Sequence, residues 1–236
     1  MKPLLIGYAH ALLFVVTVAI SSVSLQAQSD QESFRTYGKI VGGFSIPTGE
    51  FSSTTTAQSG FAKLGLGLAG ELNFEVLKGF ELGLMTDFSL NELDHDELQR
   101  QYQKELSGSN VTAGFWYLVG IMGSGGFGVE ASPAVRLYGK IYTGVIIANL
   151  PEIKIATAGV SARQSSASAA AFGFGFGGGM IIKDRVDLGV RYLTAEAEYE
   201  VTFTVTDNYD GRTSSQKGKF KQPSGTIQIL LGYVIF

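Results

Sequence analysis

Residues 61–90 read FAKLGLGLAGELNFEVLKGFELGLMTDFSL, and this stretch decides the fold. Apolar side chains take every second position on both sides of a Leu77-Lys78-Gly79 turn, and small, polar or charged side chains lie between them. Because successive side chains of a β-strand point to opposite faces, the stretch predicts one hairpin with an apolar face and a polar face. Each arm is long enough to cross a bilayer, which takes about 9 to 11 tilted residues.

The N-terminus has the pattern of a secretory signal peptide. A basic start precedes an apolar run over residues 4–20, and small and polar residues follow up to Ala27. We therefore predict a signal peptide over residues 1–27 and a mature domain over residues 28–236. A membrane helix is the competing interpretation of the apolar run.

Composition narrows the class of the mature chain. Removing residues 1–27 leaves 17 basic residues against 21 acidic ones, so no clustered basic surface for nucleic acid is expected. Cysteine is absent, which excludes a disulfide framework and a thiolate metal site. Yet 45% of the residues are apolar, and no later stretch has the roughly 18 apolar residues of a membrane helix. Only helices and closed barrels satisfy their backbone in hydrocarbon, so we predict an outer-membrane β-barrel.

Alternation and turn residues divide the mature chain into eight strands. They are predicted over residues 36–46, 62–76, 80–90, 111–121, 134–148, 167–181, 186–203 and 224–236. In the seventh, the apolar positions change parity near Leu193, which predicts a β-bulge there. The fold class is all-β, an eight-stranded antiparallel up-and-down transmembrane β-barrel.

The connections alternate in length, as expected for such a barrel. Long loops are predicted over residues 47–59, 91–109, 149–166 and 204–223, short turns over 77–79 and 182–185, and an intermediate glycine-rich connection over 122–133. Pro47, Pro133, Pro151 and Pro223 all fall in these connections. Long loops outside the cell and short turns in the periplasm would place both chain ends in the periplasm.

Loop 91–109 has two interpretations. Asp94 and Glu97 have the spacing of a capping box, and Leu98, Tyr102 and Leu106 recur at helical spacing, which favours a short helix. Extended arms of a hairpin are the alternative.

The hairpin Leu64–Leu90 and the terminal strand Thr226–Phe236 carry a resemblance to known proteins. The chain resembles small bacterial outer-membrane barrels of the eight-stranded OmpA/OmpX type, and in particular the outer-membrane β-barrel domain family common in Bacteroidota. The resemblance implies that Tyr233 and Phe236 form an assembly signal, although family members often place the tyrosine one residue nearer the end. It implies as partners the outer-membrane lipid, the barrel assembly machinery and periplasmic chaperones.

Ten charged residues have the parity that faces the lumen. The bases are Lys39, Lys63, Arg136, Lys140 and Arg191, and the acids are Glu71, Glu75, Glu81, Asp87 and Asp187. Equal numbers predict mutual neutralisation, because buried charges are tolerated when paired. About eight strands leave an interior just wide enough for side chains to fill, so we expect a plugged lumen. The alternative is a narrow solute path, for which the inward glycines would leave room.

Motifs of enzymes and cofactor sites are weak here. Residues 123–128 and 173–178 fit G-x-G-x-x-G, but neither opens a helix, so no nucleotide or other cofactor is predicted. His95 follows Asp94 in an acidic loop that is interpreted as solvated surface, so we expect no metal site and no enzyme.

Three functional classes remain. One is a structural or surface-interaction barrel that meets an extracellular ligand or protein through loops 91–109 and 204–223. The second is a porin-like channel for small solutes. The third is a soluble lipocalin-like barrel with its apolar face turned inward around a ligand.

Overall fold

The computed structural model describes residues 35–56, 58–105 and 108–236, so the predicted signal peptide 1–27 lies outside the described residues. Eleven strands are numbered in chain order: β1 (Thr36–Thr48), β2 (Ala62–Leu77), β3 (Phe80–Leu93), β4 (Asn110–Ala113), β5 (Trp116–Ser132), β6 (Val135–Leu150), β7 (Ile153–Ala156), β8 (Val160–Gln164), β9 (Ala167–Ile182), β10 (Val186–Asp207) and β11 (Thr213–Val234). All but β4, β7 and β8 form a closed antiparallel ring, in which β11 pairs back onto β1. The predicted eight-stranded antiparallel barrel is confirmed.

The outer wall of the ring carries a continuous apolar belt. Its large side chains are 40–72% exposed and include Ile40, Phe44, Leu66, Leu84, Phe88, Ile121, Phe127, Ile141, Phe172, Phe174, Phe176, Leu188, Val190, Ile229 and Leu231. So large an exposed apolar surface needs lipid or a partner to cover it. The lipocalin-like interpretation is wrong, because the apolar face is outside the ring. Among the described residues, no helix combines the length and the apolar character needed to span a bilayer.

One end of the barrel, the turn end, has short connections. The predicted connection over 122–133 is wrong, because β5 continues to Ser132 and pairs with both β3 and β6 through its glycines. The turn is reduced to Pro133 and Ala134. The hairpin turn after β2 and the turn before β10 are as short as predicted.

The opposite end, the loop end, is more structured than a set of loops. A 3-10 helix (Gly49–Phe51) follows β1, and helix α1 (His95–Glu105) follows β3. The helical interpretation of residues 91–109 is therefore confirmed, and Asp94 Oδ1 accepts a hydrogen bond from Glu97 N at 3.0 Å, as a helix cap does. The predicted strand 111–121 is split at Gly114, because β4 leaves the ring to pair with β7.

Predicted loops 149–166 and 204–223 are largely strand. Residues 153–164 form the hairpin β7–β8, and β10 and β11 continue past the ring as two arms that meet in a turn over 208–212. Together they form an additional sheet above the barrel in the order β11-β10-β8-β7-β4.

The predicted bulge near Leu193 is wrong. β10 keeps one register against β11 from Val186 to Thr206, so its parity never changes. What changes is the environment: Ala195, Ala197, Tyr199 and Val201 face inward and are buried, while Glu196, Glu198 and Glu200 face out and are exposed. The strand leaves the lipid belt, and its apolar side chains fill the interior as in a water-soluble sheet.

Two prolines lie inside strands rather than in loops. Pro47 pairs with Thr226 and Pro223 lies opposite Glu196. Pairing of β1 with β2 stops at Ser45, and pairing of β1 with β11 stops at Gly225, so each proline has an unpaired edge beside it. Proline is tolerated there because its missing N–H is not needed.

Candidate functional site: the filled lumen

A cluster of eight buried charged residues crosses the lumen. Each is at most 6% exposed, and the set consists of Lys39, Arg136, Lys140, Arg191, Glu71, Glu81, Asp87 and Asp187. They come from β1, β2, β3, β6 and β10, whose inward positions meet only when the ring closes. Four bases therefore face four acids in a space from which water is largely excluded, and ionised groups are tolerated there because each finds a partner.

Near the turn end, Glu81 on β3 is the acceptor for side chains of two other strands, β1 and β6. Its carboxylate is paired with Arg136, lies 3.3 Å from Lys140 Nζ, and accepts a hydrogen bond of 2.7 Å from the Tyr37 hydroxyl. Glu75, less buried, lies 3.8 Å from Arg136 and accepts a bond from Gly79 N. This part of the cluster ties β1, β2, β3 and β6 together.

Glu71 lies at the centre. Its Oε2 is 3.3 Å from Lys39 Nζ and 3.5 Å from Lys140 Nζ, and its Oε1 is 3.1 Å from Arg191 Nη1. Lys39 also binds Asp187 at 2.6 Å, and the Tyr138 hydroxyl donates to the same carboxylate at 2.8 Å. Glu71 Oε2 lies close to the two ammonium groups of Lys39 and Lys140, but within the described part of the chain it makes no hydrogen bond of good geometry.

Towards the loop end, Arg191 ends the cluster. Its Nη2 lies 3.3 Å from Asp87 Oδ2 and donates to Gln228 Oε1 at 2.6 Å, and the Gln228 amide donates back to Asp87 at 2.9 Å. Gln228 was missed from the sequence because a neutral amide at an inward position carries no charge signal.

Lys63 lies outside this cluster, and its assignment to the lumen is a correction. The β2–β3 register shifts between Ala62 and Gly65, which turns the side chain of Lys63 to the surface, 43% exposed. It binds Asp94 at 2.9 Å, and this hydrogen bond raises the pKa of Lys63. Burial acts to raise the pKa of Asp94, but the Glu97 backbone N–H and Lys63 outweigh it and lower that pKa.

Neighbouring atoms occupy the space beside several inward glycines. A Cβ on Gly128 would lie 2.5 Å from Arg136 Nε, and one on Gly126 would lie 2.7 Å from Lys140 Cγ. On β9 and β10, a Cβ on Gly179 or Gly189 would lie within 2.8 Å of the Tyr138 hydroxyl. The closest atom at Gly126 and at Gly179 is a backbone oxygen of the neighbouring strand, whereas at Gly128 and Gly189 it belongs to a long side chain. Close neighbours of both kinds therefore favour glycine at these positions.

An apolar plug lies above the charges at the loop end. Trp116 and Phe51, 2% and 0% exposed, meet edge to face with ring centroids 5.3 Å apart, and Tyr199 lies 6.3 Å from Trp116. The indole N–H donates to Gly60 O at 2.8 Å. The inward parity of Trp116 was visible in the sequence. Phe51 was not predicted, because it lies in a Ser/Thr-rich segment without periodicity.

Two of the cavities among the described residues lie in the lumen. Each has a volume of about 10 Å³, one beside Lys39, Glu71 and Tyr142, the other between Asp87 and Leu193. Each has room for about one water molecule.

The remaining sequence features have ordinary structural settings. Residues 123–128 and 173–178 lie within β5 and β9, and His95 is the first residue of α1. Within the described part of the chain, no group of three or more His, Asp or Glu side chains has the geometry of a metal site. Tyr233 faces lipid and is 51% exposed. The Phe236 ring packs over Gly38, and a Cβ added to Gly38 would lie 2.8 Å from Cζ of that ring.

The closed ring, the apolar belt and the charge-filled interior define an integral membrane β-barrel. The chain belongs to the outer membrane protein beta-barrel domain family, whose model matches residues 15–233. It is an outer-membrane protein.

Solved structures of similar fold are distant in sequence. A major outer membrane protein from Thermus thermophilus is 13% identical with a TM-score of 0.51, over 85% of this chain and 98% of that one. The outer membrane protein OprG from Pseudomonas aeruginosa is 9% identical (TM-score 0.45, 86% and 97% covered), and Neisserial surface protein A is 10% identical (TM-score 0.42, 86% and 99%). Among curated proteins no match was found.

Proposed function

We propose that this barrel does not conduct solutes and that it acts at the cell surface through its loop end. The observation that carries the proposal is the buried cluster of four bases and four acids that crosses the lumen, with the plug of Phe51 and Trp116 above it. A solute would have to separate paired buried charges, and removing one partner of such a pair costs about 3–5 kcal/mol. The two lumen cavities described above, each of about one-water size, also support a lumen without a solute path.

The orientation is part of the proposal. The turn end and both chain ends would lie in the periplasm, and α1 with the arms of β10 and β11 would lie outside the cell. These elements project beyond the lipid belt and carry exposed polar side chains, which suits them to meet a ligand or protein. After export, Tyr233 and Phe236 on the last strand would serve as the signal for the assembly machinery and its periplasmic chaperones.

We infer no enzymatic role. The histidine that follows the predicted signal peptide, His95, begins α1, and its neighbour Asp94 is engaged with Glu97 N and Lys63. A general base needs a free acceptor within reach of a substrate, and this arrangement offers a helix cap instead.

Conductance across a planar bilayer tests the proposal. The mature chain, folded in detergent and checked for heat-modifiable gel mobility, is expected to insert without producing discrete channels. Arg136→Glu, which sets three acids together near the turn end, is expected to produce conductance if it folds, and Lys63→Glu at the surface is the matched control without effect. Steady channels from the unaltered protein would overturn the plugged lumen and favour the porin-like alternative.

A further inference from the structure

The additional sheet above the barrel has two edges, and they are treated differently. At the β4 edge, the side-chain amide of Gln99 on α1 accepts a hydrogen bond from Val111 N at 2.6 Å and donates to Ser109 O. One side chain of α1 thus pairs with backbone N–H and C=O groups at the outermost strand, as a neighbouring strand would. An unpaired edge is a template for another chain, and α1 covers this one at Ser109 and Val111.

The β11 edge is open. Val234 N donates to Arg185 O, just before β10, whereas Ile235 N donates to Gly38 O, just inside β1. Because antiparallel residues alternate sides, even-numbered residues of β11 bond β10 and odd-numbered residues bond β1. The β10–β11 register is constant back to Thr213, but the pairing of β11 with β1 ends at Gly225.

The backbone groups of five residues therefore point away from the sheet with no strand beside them. These are Thr213, Ser215, Lys217, Lys219 and Lys221. Within the described residues, no backbone or side-chain hydrogen bond reaches their N–H or C=O groups from the open side. Pro223 lies on the same parity, where its missing N–H leaves no ladder bond unmade. The open edge, residues 213–221, is a regular extended template.

The charges beside the open edge favour one kind of partner. Lys217, Lys219 and Lys221 project from the outer face, 59–76% exposed, and are held loosely by glutamates of β10 at 3.6–3.8 Å. A strand added to the open edge would place its own side chains directly opposite these lysines. Opposite charges are favourable at such positions, and like charges are unfavourable.

We propose that the open edge of β11, residues 213–221, binds an extended segment of another protein by strand addition, and that this segment has acidic residues at alternate positions. The proposal rests on the surface role proposed above and names its surface and the chemistry of its partner. Main-chain hydrogen bonds supply affinity in this mode, and alternate side chains supply specificity.

A second copy of the chain fits less well. Two barrels in one membrane are related by an axis along the membrane normal, so their β11 strands run in the same direction. Strands in such barrels tilt by about 35–45°, so two edges brought together would cross at roughly twice that angle instead of aligning. A peptide has no such restriction.

The test uses the whole mature protein in detergent micelles and a nine-residue peptide in which glutamate alternates with threonine. We expect saturable binding by fluorescence anisotropy, weaker by at least about tenfold for the peptide with lysine in place of glutamate. Amide exchange gives the signature: in the free protein the N–H groups of Ser215, Lys217, Lys219 and Lys221 exchange fast, and the peptide protects them. The even-numbered amides between them are protected throughout.

Two kinds of variant distinguish the contribution of the backbone hydrogen bonds from that of the lysine charges. Ser215→Pro removes one N–H on the open side and is expected to abolish binding, and Ser215→Thr, which keeps the N–H, is the matched control. The triple variant K217T/K219T/K221T is expected to lose the preference for the acidic peptide and to retain the exchange pattern. Each variant is first checked for heat-modifiable mobility.

Absence of binding, binding that Ser215→Pro leaves unchanged, or equal affinity for the lysine peptide would overturn the proposal. Odd-numbered amides already protected in the free protein would also overturn it, because another copy or segment would then cover the edge. None of these results bears on conductance. If the barrel does not conduct and also binds no peptide, only the strand-addition proposal is overturned.

Discussion

Arg191 and Glu71 lie 120 residues apart in the sequence and 3.1 Å apart in the lumen, measured from Nη1 to Oε1. The same guanidinium contacts Asp87 at 3.3 Å and Gln228 at 2.6 Å. One side chain of β10 thus connects β2, β3 and β11 across the interior. Its loss would leave Asp87 buried without this cation and would remove one of the three cations beside Glu71.

Arg191→Met is therefore expected to lower the free energy of unfolding by about 3–5 kcal/mol, because Glu71 and Asp87 remain buried and lose this partner. Urea unfolding in detergent, followed by gel mobility, measures the change. Lys63→Met is the control, since it breaks an ion pair with Asp94 at the surface and should cost less than about 1 kcal/mol. If the two variants cost the same, the buried cluster does not stabilise the barrel through its ion pairs.

Gly128→Ala tests whether the inward glycines make room for charged side chains. The new Cβ would lie 2.5 Å from Arg136 Nε, so the guanidinium must leave its position beside Glu81. We expect a loss of about 1–3 kcal/mol in the free energy of unfolding. Gly139→Ala is the matched control: that position is exposed on the outer wall with nothing within 4 Å of the new Cβ, and it should be neutral. Equal losses at the two positions would mean that contact of the new Cβ with Arg136 is not the cause, which would overturn the explanation from lumen packing.

Tyr199→Phe is expected to leave stability unchanged or raise it by up to about 1 kcal/mol. The hydroxyl of Tyr199 is buried in the plug and has no hydrogen-bond partner among the described residues. The ring keeps its contacts with Trp116 and Phe220 when the oxygen is removed. An unpaired buried polar group costs free energy, so its removal relieves the protein of that cost. A clear fall in the unfolding midpoint would indicate that the hydroxyl has a partner in solution.

The cap of α1 is expected to depend on pH. The folded-state pKa of Asp94 is lowered, so its stabilising effect is present above the unfolded value of about 3.9 and is lost as the pH falls through the lower folded value. Exchange of the Glu97 amide, which donates to Asp94, should accelerate only in that acidic range relative to its unprotected rate.

Asp94→Asn separates charge from hydrogen bonding. The amide oxygen still caps the helix, so protection of the Glu97 amide should persist while its dependence on pH disappears. Asp94→Ala should lose about 0.5–2 kcal/mol of helix stability at neutral pH. A pH dependence retained in the asparagine variant would assign the effect to a different group.

Local alternation predicted most of the barrel and misled at Lys63 and in the upper part of β10. The parity that puts Lys39, Arg136 and Arg191 inside and Leu66, Ile141 and Leu231 outside was readable because side-chain direction repeats every two residues. The same alternation in β10 suggested a bulge at Leu193, since apolar residues were assumed to face lipid along the whole strand. The assumption fails where a strand extends beyond the lipid belt, and no local pattern in the sequence marks the residue at which it does so.

The turn at Pro133 was misplaced for a related reason. Glycines at 123, 125, 126 and 128 resemble a loop, but in the structure they are strand residues, and the missing side chains of Gly126 and Gly128 leave room for Lys140 and Arg136 of the next strand. A glycine in a sequence indicates only that no side chain is there. What fills the space depends on the neighbouring strand.

By itself, the sequence determined eight alternating strands, the side of each that faces lipid within the belt, and the identities of nearly all the buried charges, because these follow from a period of two along one chain. Only the tertiary structure decided which charges pair, that Lys63 stays at the surface, that Phe51 and Trp116 close the loop end, and that the edge of β11 is open. Those features depend on register between strands far apart in sequence, and register is set by closure of the ring and not by any single strand.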